Sequence, residues 1–193
     1  MNENIEFLKA FLKNPGKVGS ITPSSPELAR KMIEGITPRS DNAVLELGVG
    51  TGAITRFLQE IIPDDESYLG IELDRDLVRS FKLSYPDMRI MQGNACDTAA
   101  IHATSEIGTI GYIICSLPFA SLPAKVAGQI FLEIDKFMQQ GCTFRTFQYA
   151  HSYYFPSAIR FRKFMSNRYG KSKRSPLIVR NVPPAYTLTW SSV

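Results

Sequence analysis

Cysteine and histidine are scarce in this chain: three of the first, Cys96, Cys115 and Cys142, and two of the second among 193 residues. Thiols that are odd in number and widely spaced suggest neither a disulfide framework nor a metal cage. They are expected to be reduced, with Cys115 in the core, and no metal site is expected. Long apolar runs are missing as well. Nothing approaches the roughly 18 apolar residues that cross a bilayer, and the opening Met-Asn-Glu-Asn-Ile-Glu lacks the basic stretch and cleavage site of a secretory signal. These absences predict a cytoplasmic protein. Internal repeats and low-complexity segments are absent too. Acidic residues are missing where basic ones gather. Arg160, Arg162, Lys163, Arg168, Lys171, Lys173, Arg174 and Arg180 stand in one stretch with no Asp or Glu among them. The net charge of +4 is small, so this local cluster, rather than the total, points to an anion-facing surface.

At 193 residues and 44% hydrophobic, the chain is long enough for one α/β domain with a full core and too short for two. Residues 1–193 are expected to form a single domain, 1–40 as an N-terminal helical cap and 41–193 as the core. Residues 4–13 have helical periodicity, with Ile5, Phe7, Leu8, Phe11 and Leu12 in one arc. Such a helix lies in a membrane interface or packs as a lid over a cleft. A Ser/Pro start signal then opens a helix carrying Leu28, Met32 and Ile33 inward, with Ser20, Ser24 and Ser25 in the polar turn before it. Strand-like runs follow at residues 43–47, 67–73, 88–92, 110–115 and 142–149, and helical ones at 53–62, 74–85, 123–140 and from about 156 to 169. Residues 177–190 read as two short strands around a Pro-Pro turn. The order predicts a Rossmann-like doubly wound sheet with a C-terminal antiparallel hairpin, and a ligand crevice at the carboxyl ends of its strands.

Chemistry concentrates at Ala43-Val-Leu-Glu-Leu-Gly-Val-Gly-Thr-Gly-Ala53. Gly48, Gly50 and Gly52 strip side chains from a strand-to-helix turn, letting backbone N–H groups approach a polar ligand. Gly48, Gly50 and Ala53 also satisfy a dinucleotide fingerprint, which leaves an NAD-dependent oxidoreductase open. Glu72 ends the next strand at the distance where a carboxylate accepts both hydroxyls of a ribose. Glu46, two residues before the first glycine, would gain nothing facing a pyrophosphate, but it suits a cofactor with an ammonium or sulfonium group.

Val44-Leu-Glu-Leu-Gly-Val-Gly-Thr-Gly52 resembles motif I of the class I S-adenosylmethionine-dependent methyltransferases, and Gly70-Ile-Glu-Leu-Asp74 resembles their second motif. The resemblance implies S-adenosylmethionine as cofactor. Glu46, Gly48, Gly50, Thr51 and Gly52 would face its methionine half, and Glu72 and Leu73 its ribose. Asn94 or Asp97 would meet the adenine amino group, beside Ala95. Ser116-Leu-Pro-Phe119 is similar to motif IV of the amino-methylating enzymes, which implies that Ser116 and the strand end accept hydrogen bonds from the amine while Phe119 packs beside the methyl, with Leu117 and Pro118 in the same catalytic segment; without a ligand, Pro118 and Phe119 read as a turn and a core aromatic. Ser116 stands where that motif has Asn or Asp, which argues against a nucleobase acceptor. Tyr149 is a polar acceptor for the amine, and His151 reads either as a proton acceptor or as a structural residue after the strand.

Residues 14–25, 117–123 and 180–185 together resemble the bacterial phospholipid N-methyltransferases over essentially the whole chain. That implies methylation of phosphatidylethanolamine at the inner face of a membrane, by a peripheral protein. Ser20, Arg160, Arg162, Lys163 and Arg180 would meet the headgroup phosphate and the anionic surface, and no stable nucleic-acid complex is expected. The rival inside the class is an rRNA adenine N6-dimethyltransferase, which shares motif I. Outside it stands a non-catalytic lipid- or cofactor-binding module.

Overall fold

The structure is a computed structural model and describes residues 24–191. The helix expected at 4–13 and Ser20 lie outside the described residues.

Helix α1 (Pro26–Ile33) begins where Ser25 accepts the Leu28 N–H on its hydroxyl and Pro26 presets the first turn. Its far end is held by Arg145, whose Nη1 donates to the carbonyls of Met32 at 3.0 Å and Glu34 at 2.8 Å. The chain then alternates strand and helix: β1 (Ala43–Leu47), α2 (Thr55–Leu58), β2 (Tyr68–Glu72), α3 (Arg75–Ser84), β3 (Ile90–Gln92), α4 (Thr98–Ala103), β4 (Ile110–Cys115), α5 (Ala124–Met138), β5 (Thr143–Tyr149), α6 (Pro156–Tyr169), β6 (Lys173–Arg174) and β7 (Ala185–Ser191). The seven strands form one sheet in the order β3-β2-β1-β4-β5-β7-β6. The first five are parallel and β7 runs antiparallel to β5 and β6. This is the doubly wound arrangement with an antiparallel C-terminal pair that the strand and helix pattern predicts.

Fully buried β1 and β2 are covered on both faces. Leu45, Leu47 and Ile113 join α5 and α6 in one apolar cluster, and Val44 and Ile114 join α1, α2 and α3 in the other. Strand order reverses between β1 and β4. Such a switch point opens a crevice at the carboxyl ends of those strands, and there the Ser116 N–H donates to Leu47 O at 3.0 Å.

Two expectations need correction, and one element was missed. The helix expected at 53–62 is regular over Thr55–Leu58 alone. Bonds from Glu60 to Phe57 O and from Ile61 to Leu58 O tighten the rest into turns ahead of Pro63. Helix α4 was not anticipated. In the C-terminal pair, β7 is partnered by Lys173–Arg174 and by a single bridge from Ile178 to Ala185, not by a strand within 177–182.

Candidate active site

The loop after β1 lies across the crevice. Gly48 and Gly50 have φ of +74° and +58°, and a Cβ on Gly48 would sit 2.7 Å from Leu117 Cδ2. A side chain there is excluded twice, by backbone strain and by contact. Glu72 closes the loop from the end of β2: its Oε2 accepts the Gly50 N–H at 2.9 Å and its Oε1 the Asp74 N–H at 2.9 Å. Thr51 is exposed at the tip and Leu73 is half-buried beside it. A carboxylate anchored by backbone donors against a glycine-rich loop is a cradle that fits a nucleoside with vicinal hydroxyls.

Glu46 is placed differently from expectation. Instead of facing a cationic ligand it is wholly buried, because alternation along β1 turns it with Val44 under the loop. Its Oε2 accepts from Thr55 Oγ1 at 2.9 Å and from Tyr68 OH at 2.7 Å, while Oε1 has no partner. Burial pushes its carboxyl up to about 7 and holds the Tyr68 hydroxyl well above the usual phenol range. Glu46 thus ties β1, α2 and β2 together beneath the glycines.

After β3, the Asn94 side-chain oxygen accepts the Cys96 N–H at 2.9 Å and caps the turn Ala95–Asp97. That oxygen is already engaged. Asp97 is exposed and Ala95 is packed into the core.

Ser116 and Pro118 are half-buried at the end of β4. Phe119 departs from the expected role. Leu117 packs on Gly48, and the Phe119 ring stacks on Phe161 with centroids 4.7 Å apart and lies 5.0 Å from Phe131. At 3% exposure Phe119 is a core aromatic, so it supplies no wall to a reacting methyl. Tyr149 ends β5 half-buried, its ring stacked on that of His151 at 5.7 Å; burial pushes its hydroxyl up, so it is a neutral phenol. His151 is exposed.

The basic cluster divides. Arg160 and Lys163 are exposed on α6. Arg162 is held inward, donating to Gln148 Oε1 at 2.6 Å and Tyr153 O at 2.7 Å. Arg168 pairs with Asp135 at 3.1 Å, and Arg180 with Glu27 at 3.2 Å. Thr55, Tyr68 and Gln148 escaped the sequence reading; for Gln148 the signal was there, since alternation in β5 puts it on the same face as Phe144. Burial raises the three thiols, Cys115 and Cys142 to about 12 and Cys96 to about 11, so none is a thiolate near neutrality. Among the described residues no group of three His, Cys, Asp or Glu is placed to hold a metal ion.

Solved structures share this architecture. A SAM-dependent methyltransferase from Anabaena variabilis superposes with a TM-score of 0.62 at 10% identity, covering 100% of this chain and 96% of that one. Magnesium protoporphyrin IX methyltransferase from Synechocystis, with bound SAM, gives 0.59 at 12%, covering 86% and 77%. No family model matches the chain. Among curated proteins it is similar to an ornithine lipid N-methyltransferase of Singulisphaera acidiphila, 26% identical over 75% of this chain and 77% of that protein. It is also similar to ribosomal RNA small subunit methyltransferase A of Maridesulfovibrio salexigens, 29% identical over 61% of this chain and 41% of that one, and of Chromohalobacter salexigens, 37% identical over 46% and 33%. The chain thus spans less than half the length of those ribosomal RNA relatives. Fold, glycine loop and curated relatives agree on the class: the protein is a class I S-adenosylmethionine-dependent methyltransferase, and S-adenosylmethionine is its cofactor.

Proposed function

We propose that the protein methylates the amine of an aminolipid, phosphatidylethanolamine or its methylated derivatives, at a membrane surface. The observation that carries this reading is coverage. The ornithine lipid enzyme is matched over three quarters of both chains, whereas the ribosomal RNA enzymes are matched over 28–41% of their own length. Ser116 supports it as well. An exocyclic nucleobase nitrogen is conjugated and needs an amide or carboxylate at that position to hold it, while a saturated amine does not.

The cofactor supplies an electrophilic methyl on a sulfonium. In this reading Glu72 exchanges the Gly50 N–H for ribose hydroxyls, the loop from Gly48 to Gly52 admits the methionine half, and exposed Asp97 takes the adenine amino group in preference to the engaged Asn94. A primary ammonium of pKa about 10 must lose a proton before it attacks. The half-buried strand end at Ser116 disfavours the charged form, and the Ser116 and Tyr149 hydroxyls accept from the neutral amine. Attachment to the membrane is peripheral: Tyr154 and Phe155 stand 77% and 47% exposed just before α6, next to Arg160 and Lys163. Among the described residues no helix is long and apolar enough to cross a membrane.

The test is transfer of labelled methyl from S-adenosylmethionine to vesicles of phosphatidylethanolamine, vesicles of an ornithine lipid, small ribosomal subunits, or no acceptor. Label in either lipid is expected. Label confined to RNA would overturn the aminolipid reading and leave the ribosomal one.

A further inference from the structure

We infer that Arg162, Arg174 and Gln148 form an oxyanion site between α6 and the β6–β7 edge, and that it takes the phosphate or carboxylate an aminolipid carries close to its amine. The identity of the occupant rests on the aminolipid reading; the site itself does not. Arg162 lies with its Cζ 3.8 Å from the Tyr153 ring centroid, and Arg174 reaches the same ring at 5.5 Å and the Tyr186 ring at 4.9 Å. Tyr153 and Tyr186 are themselves packed edge to face at 5.2 Å. Two guanidinium groups are therefore bedded on one aromatic pair.

Neither has an ion-pair partner among the described residues, and the sequence contains no Asp or Glu after Asp135. Burial depresses the Arg162 pKa, and the nearby Arg174 charge adds a smaller push in the same direction. Aromatic stacking accounts for the placement of the two cations but not for Gln148. That residue is 5% exposed, gives its Oε1 to Arg162, and is left with a buried Nε2 that has no acceptor. A buried amide N–H without a partner is costly. An oxyanion satisfies all three groups together, receiving charge-assisted bonds from the planar forks and a neutral one from the amide.

The position suits one headgroup. Gln148 stands two residues past Thr146, whose hydroxyl donates to Cys115 O at 2.8 Å, so Gln148 and Ser116 lie at the carboxyl ends of adjacent strands. An amine held at Ser116 and an anion held at Arg162 then belong to the same molecule.

Arg174→Gln is the informative variant, because Arg174 is exposed and makes no structural ion pair, whereas Arg162 ties Gln148 to Tyr153. Inorganic phosphate is titrated into the protein without cofactor or lipid, and the arginine side-chain NMR resonances are followed. Saturable shifts in the wild type, lost in Arg174→Gln and in Gln148→Glu at unchanged thermal midpoints, are expected. In methyl transfer, Arg174→Gln should raise the KM for the lipid about tenfold with kcat held within about twofold, and Arg174→Lys should recover part of the loss. The effect on phosphatidylethanolamine against that on a carboxylate-bearing amino-acid lipid tells which anion is used. Phosphate shifts that persist in both variants would overturn the site, and an unchanged KM on both lipids would overturn its assignment to the headgroup. Shifts lost in the variants of a protein that methylates no lipid would keep the anion site and remove the aminolipid reading.

Discussion

Glu72 and Gly50 meet across 22 residues of chain, the carboxylate at the end of β2 accepting the loop N–H at 2.9 Å. The same oxygen is the one proposed for a ribose hydroxyl. Glu72→Ala should weaken S-adenosylmethionine binding by about 1.5–3 kcal/mol, the scale of a hydrogen bond to a charged group, measured by calorimetry. Unchanged affinity would remove Glu72 from the cofactor site.

Gly48 and Gly50 share a left-handed backbone but not a neighbour. A Cβ on Gly50 meets nothing nearer than Gly48 O at 4.0 Å, whereas one on Gly48 overlaps Leu117. Gly50→Ala should therefore cost about 1–2 kcal/mol of stability from the backbone alone, and Gly48→Ala more. Adding Leu117→Ala to each in a double-mutant cycle should show a favourable coupling for Gly48 and none for Gly50. Equal couplings would mean that Leu117 is not what excludes a side chain.

Much of this was legible in the sequence. Parallel strands buried on both faces are continuous apolar runs, and three glycines after the first of them mark the turn. What escaped has physical reasons. Helix α4, Thr-Ala-Ala-Ile-His-Ala, carries one large apolar residue and so has no stripe to read. Strand β6 is a Lys-Arg pair that borrows its order from β7. Phe119 next to a strand end reads the same whether it faces a substrate or Phe161, and only the packing of α6 decides it. The eight basic residues look uniform in sequence, yet stacking and pairing leave Arg160 and Lys163 outward and draw Arg162 in.

Phe119 offers a direct check on that packing. As a core aromatic, Phe119→Leu should lower stability by about 1 kcal/mol and leave kcat within about twofold. Chemical denaturation and steady-state rates measure the two. A large fall in kcat at unchanged stability would return the ring to the reacting methyl.

Glu46 predicts a pH dependence. Its folded pKa of about 7 lies above the ordinary 4.5, so between those values the folded chain holds a proton that the unfolded chain has released. Stability from this group is therefore full below about pH 4.5 and declines as pH rises toward 7, by ~3 kcal/mol in all. Urea midpoints between pH 5 and 8, without cofactor, should fall accordingly. Glu46→Gln removes the titrating group while one oxygen still accepts from Thr55 and Tyr68, so its profile should be flatter. Parallel profiles for the two proteins would show that Glu46 ionises normally in the fold.

Tyr154 and Phe155 are exposed just before α6, on which Arg160 and Lys163 are exposed, and the two pairs should act on vesicle binding in different ways. Burying a large apolar side chain is worth about 1.5–3 kcal/mol, so Phe155→Ser should weaken binding to neutral and anionic vesicles alike by at least about tenfold. Arg160→Gln and Lys163→Gln should each cost about 1 kcal/mol on anionic vesicles and little on neutral ones, because an exposed cation gains from the surface potential alone. Raising the salt concentration should erase the second effect and spare the first. Sedimentation with vesicles of both kinds separates them. If Phe155→Ser leaves both partitions untouched, this edge of the molecule does not enter the bilayer, and any attachment through the described residues is electrostatic.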